Sequence, residues 1–238
     1  MTLLDRPLTV VDVETWMPDY GGRHQLVEIA AVVVDVEGKI ARGHLRRDGT
    51  SAGRGNPLVY HSLCRPADFP RRCYLRNAVN PAWLWKSGVR SEAVVARDFA
   101  EWCFGVALDS PLVAYNAGFD RSALHGALRL TSKEDELIWG KCLMAEACEA
   151  LMLKTDGGKI RRKAPKSEVA AELFDVRTTM TLLAKMIGWT GPLTMHLGLP
   201  DALLEVAILV AVRKLTANRA ATDAGLEAMR SAGLDSSP

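Results

Sequence analysis

The 238-residue sequence predicts a single α/β domain. Two strands rich in β-branched residues come first, and helical patterns alternate with a short strand in the rest of the chain. The strands are near-continuous apolar runs, which are typical of a sheet covered on both faces. Because 48% of the residues are hydrophobic, the chain can bury a sizeable core. Neither an internal repeat nor a linker divides the sequence into two units.

The predicted sheet begins with a strand over residues 8–15, which is largely apolar and carries acids at alternate positions. A second strand covers 25–36 and ends in a glycine turn. A long loop rich in glycine and arginine over 42–57 precedes a third strand over 57–63, which we expect at an edge of the sheet. Prolines then interrupt any helix between 64 and 90.

Helices dominate the rest of the chain. The first is predicted over 91–106, where a serine N-cap precedes apolar residues at helical spacing. The second, over 120–130, follows a short buried strand over 112–115. The later predicted elements are a strand over 137–144 followed by a helix to 152, helices over 167–174 and 179–187, and a helix over 200–215 that begins with Pro200. Residues 1–217 form the predicted domain, and 218–238 form a polar tail rich in alanine.

Three features bear on where the protein works. The longest apolar stretch, residues 202–212, is interrupted by Glu205 and is too short to span a bilayer, so we expect no membrane partner. The N-terminal residues lack a cationic segment followed by an apolar one, so no secretory signal is expected. The five cysteines include no C-x-x-C pair, which favours a reduced, cytoplasmic protein.

The net charge of +2 hides two basic segments. Residues 38–76 carry a net charge of +7 and residues 154–166 one of +5, whereas the remainder carries −10. Two basic segments on an otherwise acidic protein suggest that a polyanion binds on one side. Two solvated loops would give the same pattern, and charge alone does not decide between these interpretations.

Acidic residues at three separate places are candidates for a metal site. Asp12 and Glu14 lie two apart on a strand, so both carboxylates project from the same face of the sheet. Burying two acids there is costly unless a cation neutralises them. Asp120 begins a helix after a buried strand, where the ligand sites of α/β proteins gather, and Asp201 lies in the first turn of the last helix. Oxygen ligands of this kind favour Mg²⁺ or Mn²⁺.

Each of these residues also has an ordinary structural explanation. Asp120 and Asp201 suit the N-terminal turns of helices, where an acid contributes about 0.3–1 kcal/mol. Asp12 and Glu14 would be commonplace on an exposed edge strand. His196 taken alone is more often a packing or capping residue than a catalyst.

Three short segments, taken together, resemble the exonuclease motifs of the DEDD superfamily. They are Val11-Asp12-Val13-Glu14-Thr15, Asn116-Ala117-Gly118-Phe119-Asp120 and His196-x4-Asp201. The His-x4-Asp spacing is similar to that of the histidine subclass (DEDDh), the DnaQ-like 3′–5′ exonucleases. The resemblance extends from residue 7 to residue 216. It implies a ribonuclease H-like fold, with a mixed five-stranded sheet flanked by helices on both faces.

The resemblance implies a two-metal active site. Asp12, Glu14 and Asp201 would bind one Mg²⁺ or Mn²⁺ ion, and Asp12 would bridge to a second ion supported by Asp120. His196 would take a proton from the attacking water, a role that suits an imidazole with a pKa of about 6.5.

The resemblance also implies three substrate-binding residues, Thr15, Trp16 and Asn116. Thr15 adjoins Glu14, beside which family members position the terminal 3′-hydroxyl. Trp16 stands where the family has a small residue or threonine, so it is expected either to stack on a base or to cap the core. Asn116 is expected to fix its loop or the substrate rather than to perform chemistry.

The expected reaction is metal-dependent 3′–5′ hydrolysis of single-stranded DNA or of a frayed DNA end. An exoribonuclease that acts on RNA ends fits the same residues, because no motif reports a contact to a 2′-hydroxyl. A module that binds nucleic acid or a polymerase and has lost its activity is a third alternative, which the intact set of acids disfavours. The sequence identifies neither a polymerase partner nor an oligomeric state.

Overall fold

The computed structural model describes the chain over residues 6–18, 21–46, 50–51, 53–71, 75–106, 110–129, 137–151 and 166–231. The basic segment predicted over 154–166 lies outside the described residues except for Lys166. The loop predicted over 42–57 is described in part, and isolated bridges pair its two sides as in a hairpin.

A mixed sheet of five strands forms the centre of the fold. The strands are β1 (Leu8–Trp16), β2 (Gln25–Val34), β3 (Val59–Arg65), β4 (Arg90–Ser91) and β5 (Leu112–Val113). Their order across the sheet is β4-β3-β2-β1-β5. The β1–β2 and β2–β3 pairs are antiparallel, whereas β3–β4 and β1–β5 are parallel. The predicted mixed α/β sheet is therefore confirmed, and β1 is one of its inner strands.

Helices cover both faces of this sheet, as predicted. They are α1 (Pro81–Leu84), α2 (Glu92–Val106), α3 (Ala117–Leu128), α4 (Leu143–Ala150), α5 (Ser167–Leu173), α6 (Arg177–Met186) and α7 (Gly198–Ser231). One face is covered by α2 and α3, and the other by α7, against which α4, α5 and α6 pack. Among the described residues, none of the helices has both the length and the apolar character needed to cross a membrane.

Alternation along β1 decides which side chains meet which helices. Val11 and Val13 are buried under α2 and α3, whereas Val10 packs beneath α7. Asp12 and Glu14 have the same parity as Val10, so both acids project from the face that α7 covers. The prediction that they share one face is therefore confirmed.

Helix α7 is longer than the sequence pattern predicts. It begins at Gly198 rather than at Pro200, so Pro200 lies within the first turn, where its missing N–H needs no partner. The helix continues to Ser231 through the predicted boundary at residue 217. The Arg219 guanidinium donates to carbonyls at the end of α4, which holds this extension in place.

The strand predicted over 137–144 is reduced to a single bridge between Leu112 and Trp139. Leu112 donates its N–H to the Ile138 carbonyl, and Gly140 donates to the Leu112 carbonyl, both at 2.8 Å. Helix α4 begins only at Leu143. Because β5 is only two residues long, a neighbouring strand can form few backbone hydrogen bonds with it.

Candidate active site

The predicted acids converge at one end of the sheet. Glu14 lies near the carboxyl end of β1, and Asp120 lies in the first turn of α3, which follows the parallel strand β5. Asp201 lies in the first turn of α7. Because parallel strands present their carboxyl ends at one edge of a sheet, segments far apart in sequence meet here.

Asp12 is surrounded by other acidic side chains. Its Oδ2 atom is shut off from solvent and has no hydrogen-bond partner. Burial raises the pKa of Asp12 well above its ordinary value of 3.8. The charges of four neighbours raise it further: Glu205, Asp120, Asp201 and Glu14. A carboxyl group in these surroundings needs either a proton or a cation.

Glu14, two residues further along β1, is partly buried. Burial and the charges of Asp201 and Glu28 raise its pKa to about 8, and a hydrogen bond with the Asn77 side chain opposes this rise. Asn77 Nδ2 also donates to the Thr15 carbonyl at 3.1 Å, so the segment before α1 is fixed to the end of β1.

Asp120 connects α3 to β1. Its Oδ1 atom accepts a hydrogen bond from the Val13 N–H at 3.1 Å, and the residue is only 4% exposed. Burial raises its pKa to about 7, although backbone hydrogen bonds lower it in part. Because α3 begins at Ala117, Asp120 lies inside the first turn rather than at the predicted start of the helix.

A strained turn places His196 beside Asp201. His196 has a φ of 66°, in the left-handed region that residues other than glycine rarely adopt. Asp201 Oδ2 accepts a hydrogen bond from the His196 N–H at 2.9 Å, and the His196 carbonyl accepts one from the Ala78 N–H at 2.8 Å. Burial raises the pKa of Asp201 to about 7, and the bond from His196 opposes this rise.

The His196 imidazole is within reach of the acids and yet open to solvent. Its side chain is 60% exposed, and Nε2 lies 3.7 Å from Glu168 Oε1 on α5. One donor atom each of Glu14, His196 and Asp201 lies within 4.8 Å of the other two. The side chain can therefore either accept a proton at this site or ligate a cation together with the two acids.

Four polar residues of this site have no role predicted from the sequence: Glu28, Asn77, Glu168 and Glu205. Glu28 lies opposite Glu14 on β2 and is 3% exposed. Its Oε1 atom is 2.6 Å from His61 Nε2, whereas its Oε2 atom has no partner. Glu28 and Glu205 each interrupt an apolar run, which is the signal that the sequence offered for them.

The three predicted substrate-binding residues differ in accessibility. Trp16 is 9% exposed and packs edge-on against Phe69 at 5.3 Å between ring centroids, so the structure places it in the core. Thr15 Oγ1 lies 3.1 Å from His24 Nδ1. Asn116 is exposed at the N-cap of α3, and its side chain makes no capping hydrogen bond.

Gly198 marks a close approach between α7 and β2. A Cβ atom at this position would lie 3.2 Å from the Glu28 side chain and 3.3 Å from the Ala30 Cβ. We expect Gly198→Ala to lower the free energy of unfolding by about 1–3 kcal/mol, because the added methyl group crowds the contact between α7 and β2. Urea unfolding measures the change. Gly105→Ala in α2, where a Cβ meets open space, is the matched control and should be neutral or stabilising.

The carboxylates fit a hard divalent cation. Asp12 Oδ2 and Asp201 Oδ1 are both buried without a hydrogen-bond partner, and both belong to the acids that converge here. Carboxylate oxygens are the donors that Mg²⁺ and Mn²⁺ prefer. A cation bound between these oxygens would also offset the repulsion that contributes to the raised pKa values.

The raised pKa values predict how stability depends on pH. In the folded chain without metal, Glu14, Asp120 and Asp201 keep their protons up to a pH of about 7 to 8, whereas their ordinary pKa values are 4.5 and 3.8. The folded state therefore binds more protons than the unfolded state between these limits, and stability falls as pH rises through this window. We expect the Tm of the metal-free protein to fall by about 5–10 °C from pH 5 to pH 8.

Millimolar Mg²⁺ or Mn²⁺ should restore most of this loss at pH 8, because the ions bind the folded state. Thermal melts at both pH values, with EDTA and with either ion, measure both effects. A metal-free Tm that is flat or rises from pH 5 to pH 8 would contradict the prediction.

Comparisons with known proteins establish the fold. Neither a protein-family model nor a curated protein matches the chain. A solved structure of exonuclease I superimposes with a TM-score of 0.51 and 16% identity, covering 88% of this chain and 41% of that one. The complex of E. coli exonuclease I with a dT13 oligonucleotide gives 0.50 and 17%, covering 90% and 42%. The zinc-bound form of the E. coli ExoI–ssDNA complex gives 0.50 and 16%, covering 88% and 41%.

This chain therefore spans about two fifths of the length of the exonuclease I chains that it matches. At these identities the similarity shows a shared fold, the ribonuclease H-like arrangement of a mixed sheet between helices. That fold agrees with the one implied by the three sequence motifs.

Proposed function

We propose that this chain is a metal-dependent 3′–5′ exonuclease that releases mononucleotides from single-stranded DNA or a frayed DNA end. The observation that carries the proposal is the convergence of Asp12, Glu14, Asp120 and Asp201 beside an exposed histidine. The motif spacing of the histidine subclass and the fold shared with exonuclease I both support it.

Asp12, Glu14 and Asp201 would hold one divalent ion, and Asp12 with Asp120 would support a second. Two such ions, when bound, activate a water and stabilise the leaving 3′ oxygen of an in-line phosphoryl displacement. The Val13 N–H fixes Asp120, and the His196 N–H fixes Asp201, so backbone bonds orient two of the four carboxylates. These orientations persist without substrate, which lowers the cost of assembling the site.

His196 would act as the proton acceptor. The water oxygen forms a bond to phosphorus, the bond from phosphorus to the 3′ oxygen breaks, and the water proton moves to the imidazole, while the departing 3′ oxygen takes a proton from solvent. Exposure of 60% lets the ring approach a substrate, and Glu168 at 3.7 Å would stabilise the imidazolium that forms. The products are a 5′-mononucleotide and a strand shortened by one nucleotide with a 3′-hydroxyl.

The choice of DNA over RNA is supported by the structural neighbours. The exonuclease I structures that share this fold contain a dT13 oligonucleotide and single-stranded DNA. In the described part of the basic loop, Arg54 is exposed and is available to a phosphate backbone. Arg42 instead donates to the Gly55 and Met186 carbonyls, so its guanidinium has a structural use.

Digestion of 5′-labelled DNA and RNA oligonucleotides of matched sequence with Mn²⁺ tests the proposal. We expect a ladder that shortens from the 3′ end of the DNA and disappears with EDTA. A ladder on RNA alone would make the protein an exoribonuclease. Intact strands with every metal, together with a gel shift, would identify an inactive module that binds nucleic acid.

A further inference from the structure

Helix α7 carries a second acid on the face that covers β1. Glu205 follows Asp201 by four residues, so the two side chains lie one above the other on the helix. Asp201 lies with Glu14 near the carboxyl end of β1. Further along, Arg213 donates to the Arg6 carbonyl, just before β1, so α7 and β1 run in opposite directions.

This antiparallel course places Glu205 level with Asp12. Four residues of helix advance about 6 Å, and two residues of strand advance about 6.6 Å. The step from Asp201 to Glu205 therefore matches the step from Glu14 back to Asp12. In agreement, Glu205 is the charged neighbour that acts most strongly on Asp12, whereas Asp201 is the one that acts most strongly on Glu14.

The Glu205 carboxyl group is buried, and its hydrogen bonding is incomplete. The residue is 4% exposed, and its Oε2 atom has no hydrogen-bond partner. The backbone N–H of Tyr115 donates to the carboxylate. Within the described ranges, no lysine, arginine or histidine forms an ion pair with Glu205. The acids whose charges act on Glu205 are Asp120 and Asp201, and Glu205 in turn acts on Asp12.

We propose that Glu205 is a fifth carboxylate of the metal centre, which binds a divalent cation together with Asp12. The inference rests on the proposed metal-dependent function and extends it to a residue outside the three motifs. Asp12 Oδ2 and Glu205 Oε2 are two buried oxygens without partners on facing elements, and a hard cation satisfies both at once. A purely structural Glu205 would need only the bond from Tyr115, and that bond leaves Oε2 unsatisfied.

Glu205→Gln separates these roles, because glutamine keeps an oxygen for the Tyr115 N–H and removes the charge. Isothermal titration calorimetry with Mn²⁺ on the whole chain at pH 7.5 gives the number of ions and their affinities. We expect the dissociation constant of at least one Mn²⁺ ion to rise by about 10-fold or more. Glu149→Gln, which changes an exposed acid on α4, should match the wild-type protein.

The same experiment can overturn the inference. Wild-type stoichiometry and affinity in a folded Glu205→Gln protein would make Glu205 structural and leave the exonuclease proposal intact. If Glu205→Gln does not fold, Glu205→Ser removes the carboxylate with a smaller side chain, and unchanged Mn²⁺ binding in that variant would have the same meaning. A wild-type protein that binds no Mn²⁺ would overturn both proposals together.

Discussion

Asp12→Ala is expected to abolish 3′-end digestion, with a fall in rate of about 10³-fold or more, because metal stabilisation of the transition state is worth several kcal/mol. Asp12 is the acid on which the charges of Glu14, Asp120, Asp201 and Glu205 all act. Losing it removes a ligand that both proposed ions share. The folded state should survive, because the substitution removes a buried carboxyl oxygen that has no partner.

Digestion of 5′-labelled DNA measures the effect of Asp12→Ala, and circular dichroism confirms the fold. Glu149→Gln is the control for handling and purity, since this exposed acid lies on α4. If the Asp12→Ala protein shortened DNA at the wild-type rate, the activity would belong to another site or to a contaminating nuclease.

His196→Ala is expected to lower turnover by about 10²- to 10⁴-fold, the usual contribution of general base catalysis. Mn²⁺ affinity should stay within a few-fold of wild type, because in this proposal the carboxylates hold the ions and the imidazole moves a proton. The hydrogen bond from the residue 196 N–H to Asp201 is made by the backbone and survives the substitution.

Because His196 has a left-handed backbone conformation, a second variant is needed to separate loss of the imidazole from strain on the turn. Asparagine adopts a positive φ more readily than alanine does, so His196→Asn removes the imidazole with less strain on the turn. Both variants should lose turnover to a similar extent. If both lost Mn²⁺ binding instead, His196 would be a metal ligand, which the 4.8 Å grouping with Glu14 and Asp201 also allows.

Much of the fold followed from the sequence because its patterns are local. Apolar runs predicted β1 and β2, and the period of two along a strand placed Asp12 and Glu14 on one face. The spacing of His196 and Asp201 was informative because both lie on one short turn and the helix after it. Boundaries were less accurate: α7 begins two residues earlier than predicted and extends through residue 217.

The composition of the site beyond its motifs depends on tertiary contacts. The interruption of an apolar run by Glu205 does not show what the carboxylate contacts, because its surroundings are set by how α7 lies along β1. Asn77 comes from an irregular segment, and only its hydrogen bonds with Glu14 and Thr15 show that it belongs to the site. Trp16 had two possible roles in the sequence, and packing against Phe69 gave it a place in the core.

The sequence by itself determined the long strands β1 and β2 and the acids that β1, α3 and α7 carry. The tertiary structure alone decided which carboxylates face one another, since burial and charge repulsion depend on distances between segments distant in sequence. Glu28 and Glu205 each look like an interruption of an apolar run until β2 and α7 are packed beside β1. Only the folded chain shows that one carboxylate oxygen of each residue lacks a hydrogen-bond partner, because the groups near a buried oxygen come from segments distant in sequence.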